Sequence, residues 1–114
     1  MFLAALASVV IASCYDGDTC TTTTGERIRL ACIDTPELRG KGAEPVPARA
    51  ARDHLRGLVI GKKVGIRRIT GDRYRRTVAE LFLGTINVQR EMVAIGHAEI
   101  LWRYAHQCPW TEGQ

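Results

Sequence analysis

Apolar and polar positions alternate with a period of two at both ends of the chain's central helix, and the period lengthens only over two short stretches. Val9 to Ser13 reads as a β-strand, and Thr19 to Thr24, dense in β-branched residues, as a second. Asp16-Gly17-Asp18 between them is turn chemistry, and Gly25 marks the next turn. Arg27 to Ile33 then places Ile28, Leu30 and Cys32 on one face. Leu38 to Pro47, with its glycines, prolines and charges, predicts a mobile surface loop. Pro47 suits the first turn of a helix, and Ala48 to Val59 follows with Ala51, Leu55 and Leu58 aligned, ended by Gly61. Lys63 to Ile69 and Thr77 to Leu83 read as strands around a turn at Gly71-Asp72. Asn87 is a good cap for a helix from Val88 to Ile95, with Gly96 beyond it. His97 to Gln114 shows no clear period.

Three strands, a helix, two strands and a helix predict an α+β fold, a five-stranded OB-type Greek-key β-barrel with two or three helices. This order does not suit a parallel sheet, since the first strands are joined by turns too short for crossovers. One feature conflicts with simple strand geometry. Arg29 and Asp34 are five positions apart, so strict alternation points them to opposite faces. If both serve one site, the strand must twist, bulge or end near Ile33.

At 114 residues the chain has room for one compact domain. Residues 8–114 are assigned to it, and residues 1–7 form an apolar N-terminal segment. That segment resembles the apolar part of a secretory signal, without the usual leading positive charges. It is too short to span a bilayer as a helix. Ile11-Ala12-Ser13-Cys14 also resembles a lipoprotein cleavage site with Cys14 lipidated, but Ser8 to Ile11 reads better as a strand. Cys14 and Cys20 flank the first turn and so face each other if the strands form a hairpin, whereas Cys32 reads equally as a small core residue. Four cysteines in a short chain favour export (secreted, periplasmic or membrane-anchored) over a cytosolic setting.

Sixteen Lys and Arg against 12 Asp and Glu leave a net charge of +4, and most of the cations are arginine. Such a balance suits phosphate-bearing partners, though a merely solvated surface would look the same. The candidate chemistry lies in two motifs, Asp16-Gly17-Asp18-Thr19 and Arg29 through Asp34-Thr35-Pro36-Glu37, and in the basic run Arg73-Tyr74-Arg75-Arg76. Phosphodiester cleavage wants a hard cation held by oxygens, a base for water, and positive groups around the charge that builds on phosphorus. Asp18 and Asp34 can hold the metal, Glu37 can be the base, and Arg29 and Arg76 can clamp the phosphate. Each motif alone has a blander reading, as a turn, a helix start or a basic turn. All three in this order make those readings much weaker.

On DGDT, RLACIDTPE and DRYRRTVAELF, from about Val9 to Tyr104, the chain resembles the staphylococcal-nuclease-like (thermonuclease) family. The resemblance implies hydrolysis of DNA and RNA with calcium on an OB-type barrel. It implies Asp18, Asp34 and the backbone carbonyl of Thr35 as metal ligands, and Glu37 as the base that activates water. Arg29 and Arg76 match the arginines that grip the scissile phosphate, Tyr74 and Tyr104 match tyrosines at the nucleotide, and Arg73 a basic contact residue. The implied products carry 3′-phosphate ends. Sequence specificity should be low, because phosphate contacts position a substrate without reading its bases, and a monomer is the default expectation. Two departures stand out. Arg75 occupies a position where the family usually has glycine, so a turn that needs positive φ would be strained there. The family also usually ends with a further helix, which is expected to be truncated here.

Two other functions compete with this one. A non-catalytic OB-type module could bind single-stranded nucleic acid through a basic, aromatic groove. An interaction domain could hold calcium only for structure. Clustered carboxylates argue against the first, and arginines beside the metal residues against the second.

Overall fold

The structure is a computed structural model that describes residues 6–114; the N-terminal segment before Leu6 lies outside the described residues. β1 (Ala7–Asp16), β2 (Thr19–Thr22), β3 (Arg27–Leu30), β5 (Lys63–Gly71) and β6 (Thr77–Leu83) make the barrel wall. β1 pairs with β5 through Ala7 to Val10 and with β2 through Ile11 to Asp16. Register shifts between Ile11 and Ser13 and between Cys14 and Asp16 bend this long strand, which lets one element belong to both sides of the wall. The parallel pairing of β3 with β6 closes the ring. The expected α+β barrel of OB type is therefore what forms.

Helix α1 (Pro45–Val59) buries Ala48, Ala51, Leu55 and Val59. It begins two residues earlier than the sequence suggested, because two prolines are both accommodated in its first turn, where their missing N–H groups cost nothing. The short strand β7 (Ile86–Asn87) leads into α2 (Val88–Ala94), which Asn87 caps by accepting from the Arg90 N–H at 3.1 Å. Ile11, Ile28, Leu30, Ile33, Leu55, Leu81 and Met92 fill the interior between barrel and helices. No helix among the described residues is long and apolar enough to cross a membrane.

Two local expectations are corrected. The second strand stops at Thr22, since the Thr22 hydroxyl accepts from the Glu26 N–H and Thr22 shares a hydrogen bond with Thr24, turning the chain. The third strand ends at Leu30, and Ile33–Asp34 (β4) pairs instead with Glu99–Ile100 (β8). The tail folds as two short 3₁₀ segments, Trp102–Gln107 and Pro109–Thr111. It is held by a disulfide from Cys108 to Cys32 and by the Thr111 hydroxyl, which donates to the Ala105 and Cys108 carbonyls. Trp110 packs against the core from this tail. Cys14 is bonded to Cys20 across the first hairpin.

Candidate active site

The break between β3 and β4 is what makes a site possible. Cys32 has φ +66°, a left-handed conformation that interrupts alternation. Arg29 and Asp34 consequently reach one place from opposite sides of the break. The Arg29 guanidinium lies 3.4 Å from the Asp18 carboxylate and 3.7 Å from that of Asp34, through the same nitrogen, Nη2. Its Nη1 donates to the Leu30 carbonyl at 2.7 Å, which fixes the orientation of the plane.

Asp18 is buried and well held. Its Oδ2 accepts from the Thr35 N–H at 3.3 Å and the Thr35 hydroxyl at 3.1 Å, and its Oδ1 from the Thr19 hydroxyl at 3.1 Å. Thr35 is thus placed beside Asp18 by its own side chain, whatever its carbonyl does. The turn is packed tightly from behind: a Cβ at Gly17 would fall 2.8 Å from the Ala51 Cβ of α1. Only glycine lets the helix come so close.

Asp16 was not among the predicted site residues. It accepts from the Asp18 N–H at 3.1 Å, and its carboxyl is pushed up to about 6, first by burial, then by the charge of Asp18, with Glu37 adding to it. The only signal in the sequence was its place in DGDT, where it reads as turn chemistry.

The residues expected at the substrate divide between two adjoining hollows. Arg29, Arg73, Tyr74, Arg76 and Tyr104 line a cleft of about 510 Å³. Asp34, Thr35 and Glu37 line a second of about 370 Å³, together with Glu44, His97 and Glu99. Glu37 is exposed at its rim, and its carbonyl accepts from the Glu44 N–H, tying the loop to the start of α1. The Arg29 side chain on one wall and its ion pair with Asp34 on the other join the two hollows.

Arg76 is presented by the turn between β5 and β6. Asp72 organises that turn, accepting from the backbone N–H groups of Tyr74 and Arg76, each at 2.9 Å, and from the Arg76 Nε at 2.7 Å. Desolvation works against the Asp72 carboxylate, yet these donors hold its pKa below the ordinary value. The guanidinium groups of Arg73 and Arg76 lie 4.9 and 5.2 Å from the Tyr74 ring centroid. Arg75 has φ +63°, so the strain foreseen at the position where the family usually has glycine is present. Asp72 holds Arg76 beside it at both backbone and side chain.

These positions come from widely separated parts of the chain, and a profile of the staphylococcal nuclease homologue family matches residues 27–112. The chain belongs to that family. It is also similar to an uncharacterized endonuclease of Haemophilus influenzae, 33% identical over 103 residues. The match covers 87% of this chain and 55% of that relative, so the chain spans about half of the relative's length.

The donor set fits a hard cation. Asp18 and Asp34 offer carboxylate oxygens that converge on one guanidinium nitrogen. Among the described residues no three His, Cys, Asp or Glu side chains form a metal cage. A cation here would therefore complete its shell from the Thr35 carbonyl, water and the substrate phosphate, as hard ions at phosphoryl-transfer sites do.

His54 and His97, to which no role was assigned, stack on each other with centroids 5.2 Å apart, between α1 and the turn after α2. They lie outside the arginine cleft.

Proposed function

We propose that the chain is a calcium-dependent nuclease that hydrolyses phosphodiester bonds of DNA and RNA with low sequence specificity. One observation carries this reading: a single guanidinium, Arg29, touches both candidate metal carboxylates and also lines the cleft that holds Arg73, Tyr74, Arg76 and Tyr104. A module that only bound nucleic acid would have no use for buried carboxylates beside its phosphate grip.

In this reading Arg29 and Arg76 hold the nonbridging oxygens and oppose the charge that grows on phosphorus. Asp18, Asp34 and the Thr35 carbonyl hold the calcium, which supplies Lewis-acid polarisation of a phosphate oxygen. Glu37, at the rim of the carboxylate hollow, takes a proton from the attacking water. Water adds to phosphorus in line as the bond to the 5′ oxygen breaks; that oxygen takes a proton from solvent and leaves as a 5′-hydroxyl, and the other product keeps a 3′-phosphate end. Tyr74 and Tyr104, both exposed, offer ring faces to the nucleotide, and Arg73 adds a phosphate contact. None of these groups reads base edges, which supports low sequence specificity. All four cysteines are paired, which supports export to an oxidising compartment.

The test is cleavage of single- and double-stranded DNA and of RNA with calcium or EDTA, beside a Glu37→Ser/Arg76→Ala variant. Cleavage should need calcium and fall by at least ~10³-fold in the variant, whose melting temperature should be nearly unchanged. A folded, DNA-binding wild type that cleaves nothing would sink the nuclease reading in favour of a binding module.

A further inference from the structure

The cleft of about 510 Å³ has the volume of a small-ligand site, far too short to carry a polynucleotide. Something else on the surface must meet the strand on either side of the reacting bond. Helix α1 carries Arg49, Arg52 and Arg56, against a single acidic residue, Asp53. At about 100° per residue the spacing i, i+3, i+7 puts the three arginines along one flank of the helix. His54 lies on the other flank, stacked on His97. The arginine flank is the one turned to the barrel's first strand, because the Arg56 Nε donates to the Cys14 carbonyl at 3.0 Å.

That flank leads to the site. Ala51, adjacent to Arg52 in sequence and about 100° round the helix from it, is the residue packed against Gly17, in the turn that carries Asp18. Tyr15, the neighbour of Asp16, stands 62% exposed on β1 beside the Cys14 carbonyl that Arg56 holds. Arg49 to Arg56 covers about 10 Å of helix at ~1.5 Å per residue. About three phosphates of one strand fit that length at ~3.4 Å each. Arg49 makes no ion pair among the described residues, and Arg52 pairs only with its exposed neighbour Asp53. These cations are therefore not committed to holding the fold.

We infer that the Arg49–Arg52–Arg56 flank of α1, with the exposed ring of Tyr15, is a phosphate track that holds the polynucleotide beyond the reacting bond. The inference rests on the nucleic-acid reading above and adds a second contact surface to it. The partner is a polynucleotide of several residues; a dinucleotide ends before the track begins.

The experiment compares wild type with Arg49→Gln/Arg52→Gln/Arg56→Gln and with an equal-charge control, Lys62→Gln/Lys63→Gln/Arg90→Gln. Binding of a fluorescent 30-nucleotide single strand is measured by anisotropy in EDTA from 50 to 200 mM salt. Cleavage of a dinucleotide and of the 30-mer is measured with calcium. The track variant should lose about two from the slope of log K against log salt, at ~0.7 per phosphate contact, and bind the 30-mer at least about tenfold more weakly. Its dinucleotide cleavage should match wild type. Equal losses in the control, or an unchanged slope, overturn the track while leaving the nuclease reading intact. Wild type that binds with the expected slope but cleaves neither substrate overturns the nuclease reading and leaves the track standing. If the triple variant fails to give the wild-type melt, Arg49→Gln/Arg52→Gln, which gives up no bond to the barrel, replaces it with an expected slope change of about 1.4.

Discussion

The two halves of the site are built in opposite ways. The first part of the carboxylate half is packed into the protein: Asp16 and Asp18 are buried, Gly17 abuts α1, and both disulfides insert beside it, while Asp34 at its far end is exposed. The arginine half, from Asp72 to Arg76, is an exposed turn that holds itself through one carboxylate and has no cross-link. On the proposed nuclease reading, the difference follows from what each half would have to do. Like charges that are to share a cation need a scaffold strong enough to hold them together before it arrives. The arginine turn also gathers like charges, Arg73, Arg75 and Arg76, but Asp72 and an aromatic ring sit against them and exposure to water screens them. It can remain open to an incoming strand.

The largest way to break the comparison is to cut the carboxylate half loose. Cys32 lies between Arg29 and Asp34, and its bridge to Cys108 closes a loop of sequence separation 76. Cys32→Ser/Cys108→Ser should cost about 4 kcal/mol in urea unfolding, since a long loop regains its freedom in the unfolded chain. Under conditions where the variant is still folded, cleavage should fall further than binding of the 30-mer, because the arginine turn is untouched. Equal loss of both would mean that the halves are not built separately.

A smaller effect should come from pH. The Asp16 carboxyl is raised to about 6 in the folded protein by burial and by Asp18, against an ordinary 3.8. Between those values the folded chain binds the extra proton, so this stabilisation is full below 3.8 and is lost as pH rises through 6. In EDTA the melting temperature should therefore decline from pH 5 to pH 7.5, and Asp16→Asn, which keeps an acceptor for the Asp18 N–H, should flatten that decline. An identical slope in the variant would remove Asp16 as its source.

The smallest effect belongs to the arginine turn. Arg75→Gly relieves a left-handed residue but adds freedom to the unfolded chain, so the net gain should stay below about 1 kcal/mol. Cleavage should be unchanged, because Asp72 rather than Arg75 positions Arg76. A large rise in activity would show that Arg75 does misplace its neighbour.

Much of this molecule could be read locally. The strand from Thr77 to Leu83 and the Asn87 cap of α2 stand where pattern and cap chemistry put them, because both are decided by residues within a few positions of one another. The clash between Arg29 and Asp34 was also legible, since the two-residue period of a strand forbids them one face unless the strand breaks. The earlier start of α1 and the short strand β8 were not, because two prolines hid a first helical turn and a two-residue strand has no period to detect.

The residue types of the site, their order, the hairpin that faces Cys14 with Cys20 and the need for an irregular third strand were determined by the sequence alone, because each follows from short-range geometry. Only the tertiary structure decided that Cys32 takes a left-handed conformation and bonds to Cys108, that Thr35 holds Asp18 across 17 positions, and that Asp16 is buried beside them. Those facts depend on which distant segments the closing of the barrel brings together, and burial and long-range contact leave no local trace in the chain.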